Sequence, residues 1–326
     1  MVRHGGYHLR IQQYKFVYVG HNNTSIIQSK NIFKTMSVAI GIPVHGSSQE
    51  LLNLLKNIYA CEHPQIQTAE IIITNSGPKI DRKISELKLS IIEVPHHFYW
   101  SRSVETIYNH FHKSNASALI LMNHDCLPKD DCFIKILDFH KNYPTSVGHV
   151  VLLNKAANDT IFWAGCRNEK FAAAFTEPYK GNSVMCLPKL PYSTTAAPAQ
   201  CLILPKSTVR PKYLHAKLFP HYASDHVQTA LLKKNGVPVL IIPNAFAYIS
   251  LADRAKKCAR MHPDTWKTFW DCLFAAYSPR YITVNFIAPF YTRTSFIEAT
   301  LLSIKLGFGR IAKTLLERFK IIPPLQ

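Results

Sequence analysis

The sequence predicts an α/β protein whose first half builds a parallel sheet. Short apolar runs alternate with segments of helical periodicity over residues 37–147, and this alternation is typical of strands joined by crossover helices. After residue 147 the runs are shorter and the connections are rich in turn residues, which indicates an α+β half that could complete the same sheet. With 326 residues, 47% of them hydrophobic and 18% charged, the composition is that of a globular protein and excludes a disordered chain, a collagen or a coiled coil.

The elements of the first half follow from short patterns. The predicted strands are 38–43, 70–74, 89–94 and 118–122. The predicted helices are 51–58, 102–112 and 129–139. Ser47 and Glu50 lie three residues apart and predict a capping box before the first helix. The turn-forming stretch 75–78 ends the second strand.

The second half carries fewer helical signals. The predicted strands are 147–153, 161–164, 200–204, 237–242 and 245–249. A helix is predicted over residues 224–234 and ends before Gly236, a residue that suits the left-handed conformation after a helix.

The last segment predicts a basic amphipathic helix. Its apolar stripe consists of Ile297, Leu301, Ile304, Phe308, Ile311, Leu315 and Phe319. Lys305, Arg310, Lys313, Glu317 and Lys320 lie away from that stripe. Such a helix can lie in the interface of an anionic membrane, through residues 292–320. It can equally pack its apolar stripe on its own domain or on a partner subunit.

The charge is strongly basic and is concentrated at the two ends. The chain has 38 Lys and Arg against 20 Asp and Glu, a net charge of +18. Residues 1–35 hold five basic and no acidic groups, and residues 251–326 hold twelve basic and five acidic groups. Such an excess favours an anionic partner such as a nucleic acid, a lipid surface or a phosphorylated small molecule. Residues 1–35 are interpreted as a flexible basic leader or as the product of a start codon assigned too early.

Several function classes lack their usual signatures. The sequence contains no GxGxxG, GxxxxGK[ST], GxSxG or HExxH motif, the patterns of dinucleotide oxidoreductases, P-loop NTPases, serine hydrolases and zincins. It has no apolar run near 18 residues and no secretory leader pattern. Its eight cysteines show no CxxC spacing, so we expect reduced thiols in a cytoplasmic protein.

Polar turns follow three predicted strands, and ligands of open parallel sheets bind beyond such strand ends. These turns are 43–46, 74–77 and 123–126. Asp125 stands where a carboxylate could hold a cation against a diphosphate, or could merely order the loop before Pro128. Asp225 lies in the first turn of a predicted helix, where it could act as a general base or only as a cap. Trp100, Trp163 and Tyr222 could stack on a sugar, or anchor packing.

These motifs, taken in order, resemble those of family 2 glycosyltransferases, and the resemblance extends over residues 37–320. It is carried by VAIGIPV at 38–44, EIIITNSG at 70–77, ALILMNHDCLP at 118–128 and FPHYASD at 219–225. The last of these is similar to the rhamnosyltransferase-like bacterial members. Three other features are also similar to those members: the stretch 99–109, the pair Trp163 and Gly165, and Ser278–Pro279 before a basic helix.

The resemblance implies a GT-A fold and an inverting transfer of a sugar from a nucleotide diphosphate to a glycan or lipid-linked acceptor. It makes Asp225 the base and Asp125 the ligand of Mg²⁺ or Mn²⁺. It implies donor-binding roles for Pro43, Val44, Thr74, Asn75 and Asn123, and acceptor or sugar contacts for Trp100, Trp163 and Tyr222.

The resemblance further implies a GT-A catalytic domain over 36–250, a helical extension over 251–326 and work on polysaccharides of the cell envelope. The protein would then act in the cytoplasm, at the inner face of the membrane. Asn123 stands where the first Asp of a DxD motif would be, which leaves open a non-catalytic protein that binds nucleotide or glycan. A nucleic-acid-binding protein is a further alternative, but no RNP or helix-turn-helix signature supports it.

Overall fold

The computed structural model describes residues 37–46, 48–85, 87, 89–169, 175–249 and 263–322. The predicted leader 1–35 and residues 251–262 of the predicted extension lie outside these ranges. None of the cysteines within them forms a disulfide.

The described strands form one mixed sheet. They are β1 Val38–Val44, β2 Glu70–Asn75, β3 Ser90–Glu93, β4 Ala118–Leu121, β5 Cys126–Pro128, β6 Val147–Asn154, β7 Thr160–Trp163, β8 Tyr192–Ser193, β9 Leu202–Pro205 and β10 Val239–Ile249. Their order is β3-β2-β1-β4-β9-β6-β10-β5, with β7 paired to β6 and β8 paired to β10. The first four strands run parallel, as predicted, and β9 is antiparallel to both of its neighbours.

The described helices alternate with the strands along the chain and continue after the last strand. They are α1 Gln49–Ala60, α2 Pro64–Gln67, α3 Arg82–Ser85, α4 Trp100–Lys113, α5 Cys132–Asn142, α6 Ser224–Lys234, α7 Trp266–Phe274, α8 Ile282–Thr292 and α9 Phe296–Arg318. Helices α1 and α4 bury leucine, isoleucine and aromatic side chains against the parallel strands. Strands β1 and β4 are continuous apolar runs because both of their faces are covered.

Three predicted elements differ from the observed ones. Ser48, rather than Ser47, caps α1, since its side chain accepts a hydrogen bond from the Leu51 amide, while Ser47 lies outside the described residues. Helix α5 begins at Cys132 rather than at the predicted residue 129, because residues 126–128, just before it, form β5 and pair with β10. The two strands predicted at 237–249 form one strand, with an irregularity between Ile242 and Phe246.

The C-terminal helix α9 presents its apolar stripe to solvent. It buries small side chains against α8, where an added Cβ at Gly307 would lie 2.2 Å from the Phe286 ring. On the opposite side, Ile297 is 72% and Phe308 62% exposed. Only the end of the stripe, at Ile311 and Leu315, packs partly on α7 and α8. Within the described residues, the interpretation that this stripe packs on its own domain is therefore wrong for most of its length.

Candidate functional site

A cavity of about 580 Å³ opens at the carboxyl ends of the parallel strands. The turns that follow β1, β2 and β4 all contribute to its wall, as expected for a ligand site of an open parallel sheet. The lining residues are Pro43, Val44, His45, Ser76, His96, Phe98, Tyr99, Trp100, Ser103, Asn123, His124, Asp125, His221, Tyr222, Tyr277 and Pro279.

The turns after β1 and β2 are joined by the buried side chain of Asn75. Its Oδ1 accepts the amides of Gly46 and Gly77, at 2.8 and 3.0 Å, and its Nδ2 donates to Glu93. An added Cβ at Gly77 would lie 2.4 Å from the carbonyl carbon of His45, so only glycine allows the two turns to approach this closely. Asn75 thus shapes the cavity floor from beneath, although it does not line the cavity itself.

Asp125 and Asn123 lie between β4 and β5, on the cavity wall. The indole Nε1 of Trp100 donates to Asn123 Oδ1 at 2.8 Å, which links the start of α4 to this turn. Asp125 carries the one carboxylate among the lining residues, and its Oδ1 is buried without a hydrogen-bond partner in the described structure. A buried carboxylate oxygen normally has a partner, so this one is suited to a cation or a ligand donor.

The opposite wall comes from the segment before α6. The Ser101 amide donates to the carbonyl of Pro220 at 3.0 Å, and the Ser101 hydroxyl donates to the carbonyl of Phe219. These bonds fix the following residues, His221 and Tyr222, whose rings meet edge to face at 4.5 Å. The wall is therefore aromatic and can offer ring faces to a sugar or a base.

Asp225 lies in the first turn of α6, is not one of the residues that line the cavity, and has a different environment from Asp125. One oxygen accepts the Ala199 amide at 3.0 Å, and the other accepts the amide and ring nitrogen of His226. Burial raises the pKa of this carboxyl, but the His226 charge and these hydrogen bonds outweigh it and hold the pKa below its usual value. Asp225 is therefore ionised at neutral pH, and its side chain is 20% exposed.

Two other predicted site residues lie away from the cavity. Trp163 is buried in β7, with its ring 4.4 Å from that of His149. His149 is fully buried, and burial lowers its pKa to about 3, so it packs there as a neutral ring. Thr74 is fully buried at the end of β2 and is not a lining residue.

Seven aromatic lining residues were not predicted as site residues: His45, His96, Phe98, Tyr99, His124, His221 and Tyr277. His45 and His96 approach edge to face at 4.9 Å, and Tyr277 lies 6.5 Å from Tyr99. Tyr99, His124 and His221 lie within quoted stretches of the sequence, and His45 and Tyr277 directly adjoin such stretches, which is the signal that could have found them. His96 comes from a loop without a motif, and only the fold brings it to the cavity.

The residues present fit a divalent cation held jointly with a ligand. Within the described ranges, no group of three or more His, Cys, Asp or Glu side chains forms a complete metal cage. Mg²⁺ usually binds one or two carboxylates and takes its remaining ligands from water and substrate phosphates. The free Oδ1 of Asp125 suits that arrangement.

Comparison with known proteins identifies the fold of this chain. No family model and no curated protein sequence matches the chain. A solved structure of GalNAc-T7 with UDP, GalNAc and Mn²⁺ is similar, with a TM-score of 0.52 and 10% identity, over 89% of this chain and 59% of that one. The chain thus spans less than two thirds of that protein's length. The chain has the GT-A fold.

Two structures of S. aureus TarS are also similar, at lower TM-scores. The structure of TarS 1–349 gives a TM-score of 0.46 at 10% identity, over 88% of this chain and 83% of that one. Its complex with UDP gives 0.45 at 9% identity, over 87% and 72%. A shared fold does not identify the sugar that a protein binds or transfers.

Proposed function

We propose that this protein is a glycosyltransferase that moves a sugar from a nucleotide-diphosphate donor to a hydroxyl of a glycan or lipid-linked acceptor. The observation that carries the proposal is the unpartnered Oδ1 of Asp125 on a cavity at the carboxyl ends of β1, β2 and β4. GalNAc-T7, which shares the fold, was solved with UDP, GalNAc and Mn²⁺. Hexosyl or rhamnosyl transfer is the specific form that we propose, on the motif resemblance.

The donor would lie across the turns after β1 and β2. Pro43 and Val44 line the cavity and would contact the nucleoside, while Thr74 and Asn75 would support it from beneath. Asp125 would hold Mg²⁺ or Mn²⁺, which would supply positive charge for the departing diphosphate. Asn123, kept in place by the Trp100 indole, would fix the adjacent turn.

The acceptor would approach from the aromatic wall. Tyr222 and Trp100 both line the cavity and would face the sugars, whereas the buried Trp163 would act only by supporting the sheet. Asp225 would remove the proton of the acceptor hydroxyl, and the direct attack of that oxygen would invert the sugar carbon. Its lowered pKa means that the carboxylate is already deprotonated at neutral pH, as a general base must be before it can accept a proton.

The remaining parts of the chain complete the proposal. Residues 36–250 would be the catalytic domain and 251–326 a helical extension, following the leader 1–35. The protein would act in polysaccharide biosynthesis of the cell envelope, at the inner face of the cytoplasmic membrane, with 292–320 as the membrane contact.

The test is a thermal-shift screen of UDP, dTDP, GDP and CDP, with and without Mn²⁺. A ligand that binds only the folded state raises the melting temperature, so one nucleotide should give a shift that requires the metal. Asp125→Ala should lose that shift, whereas Asp138→Ala, on the exposed side of α5, should keep it. A cooperative melt that no nucleotide shifts would contradict the proposal. A metal-dependent shift without any turnover would favour the non-catalytic alternative.

A further inference from the structure

We propose that α7 and α9 form a docking surface for an anionic phospholipid bilayer, and that this surface brings the cavity to lipid-linked acceptors. The second clause rests on the proposed glycosyl transfer, but the docking itself does not. We call this surface the aromatic face. It consists of Trp266, Trp270, Phe274, Leu301, Ile304, Phe308 and Phe319.

The α9 part of the aromatic face is exposed because the helix packs through its small residues. Ser303 donates its hydroxyl to the Phe286 carbonyl of α8 at 2.6 Å, and Gly307 lies under the Phe286 ring. Side chains half a turn away therefore point outward, and Leu301 and Ile304 are about half exposed. An exposed apolar stripe along a helix of this length is unusual for a protein surface without a partner.

Helix α7 extends the same surface with aromatic rings. Trp266, Trp270 and Phe274 recur every four residues, so they share one side of the helix, and each is more than half exposed. Phe269 and Leu273 face the other way, into the helical cluster. The Trp266 ring lies 6.1 Å from the Phe319 ring, which joins the α7 and α9 parts of the face.

The charge of these two helices favours an anionic lipid surface. Lys267, Lys305, Lys313 and Lys320 are exposed on or directly after α7 and α9, although the last three lie away from the apolar stripe, and the exposed carboxylates here are those of Asp264 and Asp271. Two other acidic residues of this region are already paired within the protein, Glu298 with Arg293 and Glu317 with Arg280. Tryptophan and phenylalanine beside lysine are the composition of helices that lie in a membrane interface.

The helices suit a protein that lies on a bilayer. Among the described residues, no helix is both long enough and apolar enough to cross a membrane. A second copy of this chain is a poorer occupant, because residues 251–326 carry twelve basic against five acidic groups and two copies of that segment would repel each other. Burial of one apolar side of a basic segment fits insertion to the depth of the headgroups.

The aromatic face is close in the chain to the cavity wall. Tyr277 lines the cavity and is itself about half exposed, and it follows the last residue of α7 by three positions. The Tyr277 ring lies 6.5 Å from that of Tyr99, another lining residue. Docking through α7 would therefore bring the cavity mouth near the bilayer surface, where a lipid-linked acceptor carries its hydroxyl.

The experiment is co-sedimentation of the full chain with vesicles of phosphatidylcholine alone or with phosphatidylglycerol. We expect binding to the anionic vesicles, weakened by salt, and at least about tenfold weaker partition for Leu301→Glu/Ile304→Glu and for Trp270→Ser. The matched control is Met185→Glu/Leu190→Glu, which makes the same change at exposed apolar residues outside the aromatic face. The control variant should bind as the unmodified chain does.

Each outcome decides the proposal. Absence of binding to anionic vesicles, equal binding to neutral ones, or equal loss in the control variant would overturn it. A change of oligomeric mass in place of vesicle binding, seen by analytical ultracentrifugation, would assign the face to a second copy and also overturn it. The nucleotide-induced thermal shift should persist in all the variants, so its loss would instead count against the proposed donor site or the fold of the variant.

Discussion

The buried ion pair between Arg280 and Glu317 should be the most sensitive point of the C-terminal helices. The guanidinium Nη2 and the carboxylate Oε2 are 2.6 Å apart, and the two side chains are 3% and 1% exposed. Burial and the Arg280 charge lower the pKa of Arg310, while the Glu317 charge raises it. The Glu317 carboxylate therefore attracts two guanidinium groups, those of Arg280 and Arg310.

Glu317→Gln keeps the shape of the side chain and removes its charge. It leaves the Arg280 guanidinium in a buried site without its anion, and breaking a buried pair in this way costs about 3–5 kcal/mol. For a chain of 326 residues, that loss corresponds to a fall of roughly 4–7 °C in the melting temperature. Arg280→Met should cost less, because Glu317 would keep the Arg310 charge nearby.

The assay is a double-mutant cycle followed by urea denaturation. The double variant Arg280→Met/Glu317→Gln removes both charges of the pair and should recover most of the stability that Glu317→Gln loses, since neither charge of the pair is then left buried without its partner. Glu177→Gln is the matched control, because the Glu177 partner, Lys180, is about half exposed. The control substitution should lower the free energy of unfolding by at most about 1 kcal/mol.

Two results would refute this reasoning. A loss below about 1 kcal/mol for Glu317→Gln would mean that water reaches the pair in solution. A double variant as unstable as the sum of the two single variants would mean that the side chains act independently.

Three further predictions concern the candidate site. Asp225→Asn should lower kcat by about 10²–10⁴-fold and keep the nucleotide-induced thermal shift, and full activity in a donor-consumption assay would remove Asp225 as the base. Trp100→Phe replaces the indole by a smaller aromatic ring and loses the bond to Asn123, so the free energy of unfolding should fall by at least about 1 kcal/mol in urea titration; no change would show that this bond adds nothing in solution. The lowered pKa of Asp225 stabilises the fold above the ordinary carboxyl pKa, and this contribution is lost as the pH falls through the lowered value. Melting temperatures over about pH 3–7 should therefore fall less steeply toward acid for Asp225→Asn than for the unmodified chain, and parallel curves would contradict the assignment.

The parallel part of the fold could be predicted because each element there carries its own local signal. The run VAIGIPV is apolar throughout since both faces of β1 are covered, and its seven residues are all buried. Strand β5 was missed because three residues hold no periodicity, and its pairing with β10 depends on a segment far along the chain. The sequence also could not decide whether Ser47 or its neighbour caps α1, because two adjacent serines are equally good N-caps by residue type.

The site was predictable where strand ends define it and not where loops do. Asp125 and Asn123 follow a recognisable strand, so their place at the cavity edge follows from topology. Tyr277 and Pro279 instead line the cavity from the loop between α7 and α8. Pro279 belongs to the pair Ser278–Pro279 that carries part of the resemblance, but that pair does not place either residue at the cavity. The loop is held there by the neighbouring Arg280, whose buried partner lies far along the chain in α9.

The orientation of α9 shows what periodicity alone leaves open. The spacing of Ile297, Leu301 and Phe308 defines one apolar side, but it does not say whether that side turns inward. Gly307 decides the orientation, because only a residue without a Cβ lets the helix approach the Phe286 ring this closely. Once the small side of α9 is buried on α8, the apolar side must face outward, and a surface of that kind needs an occupant such as the bilayer that we propose.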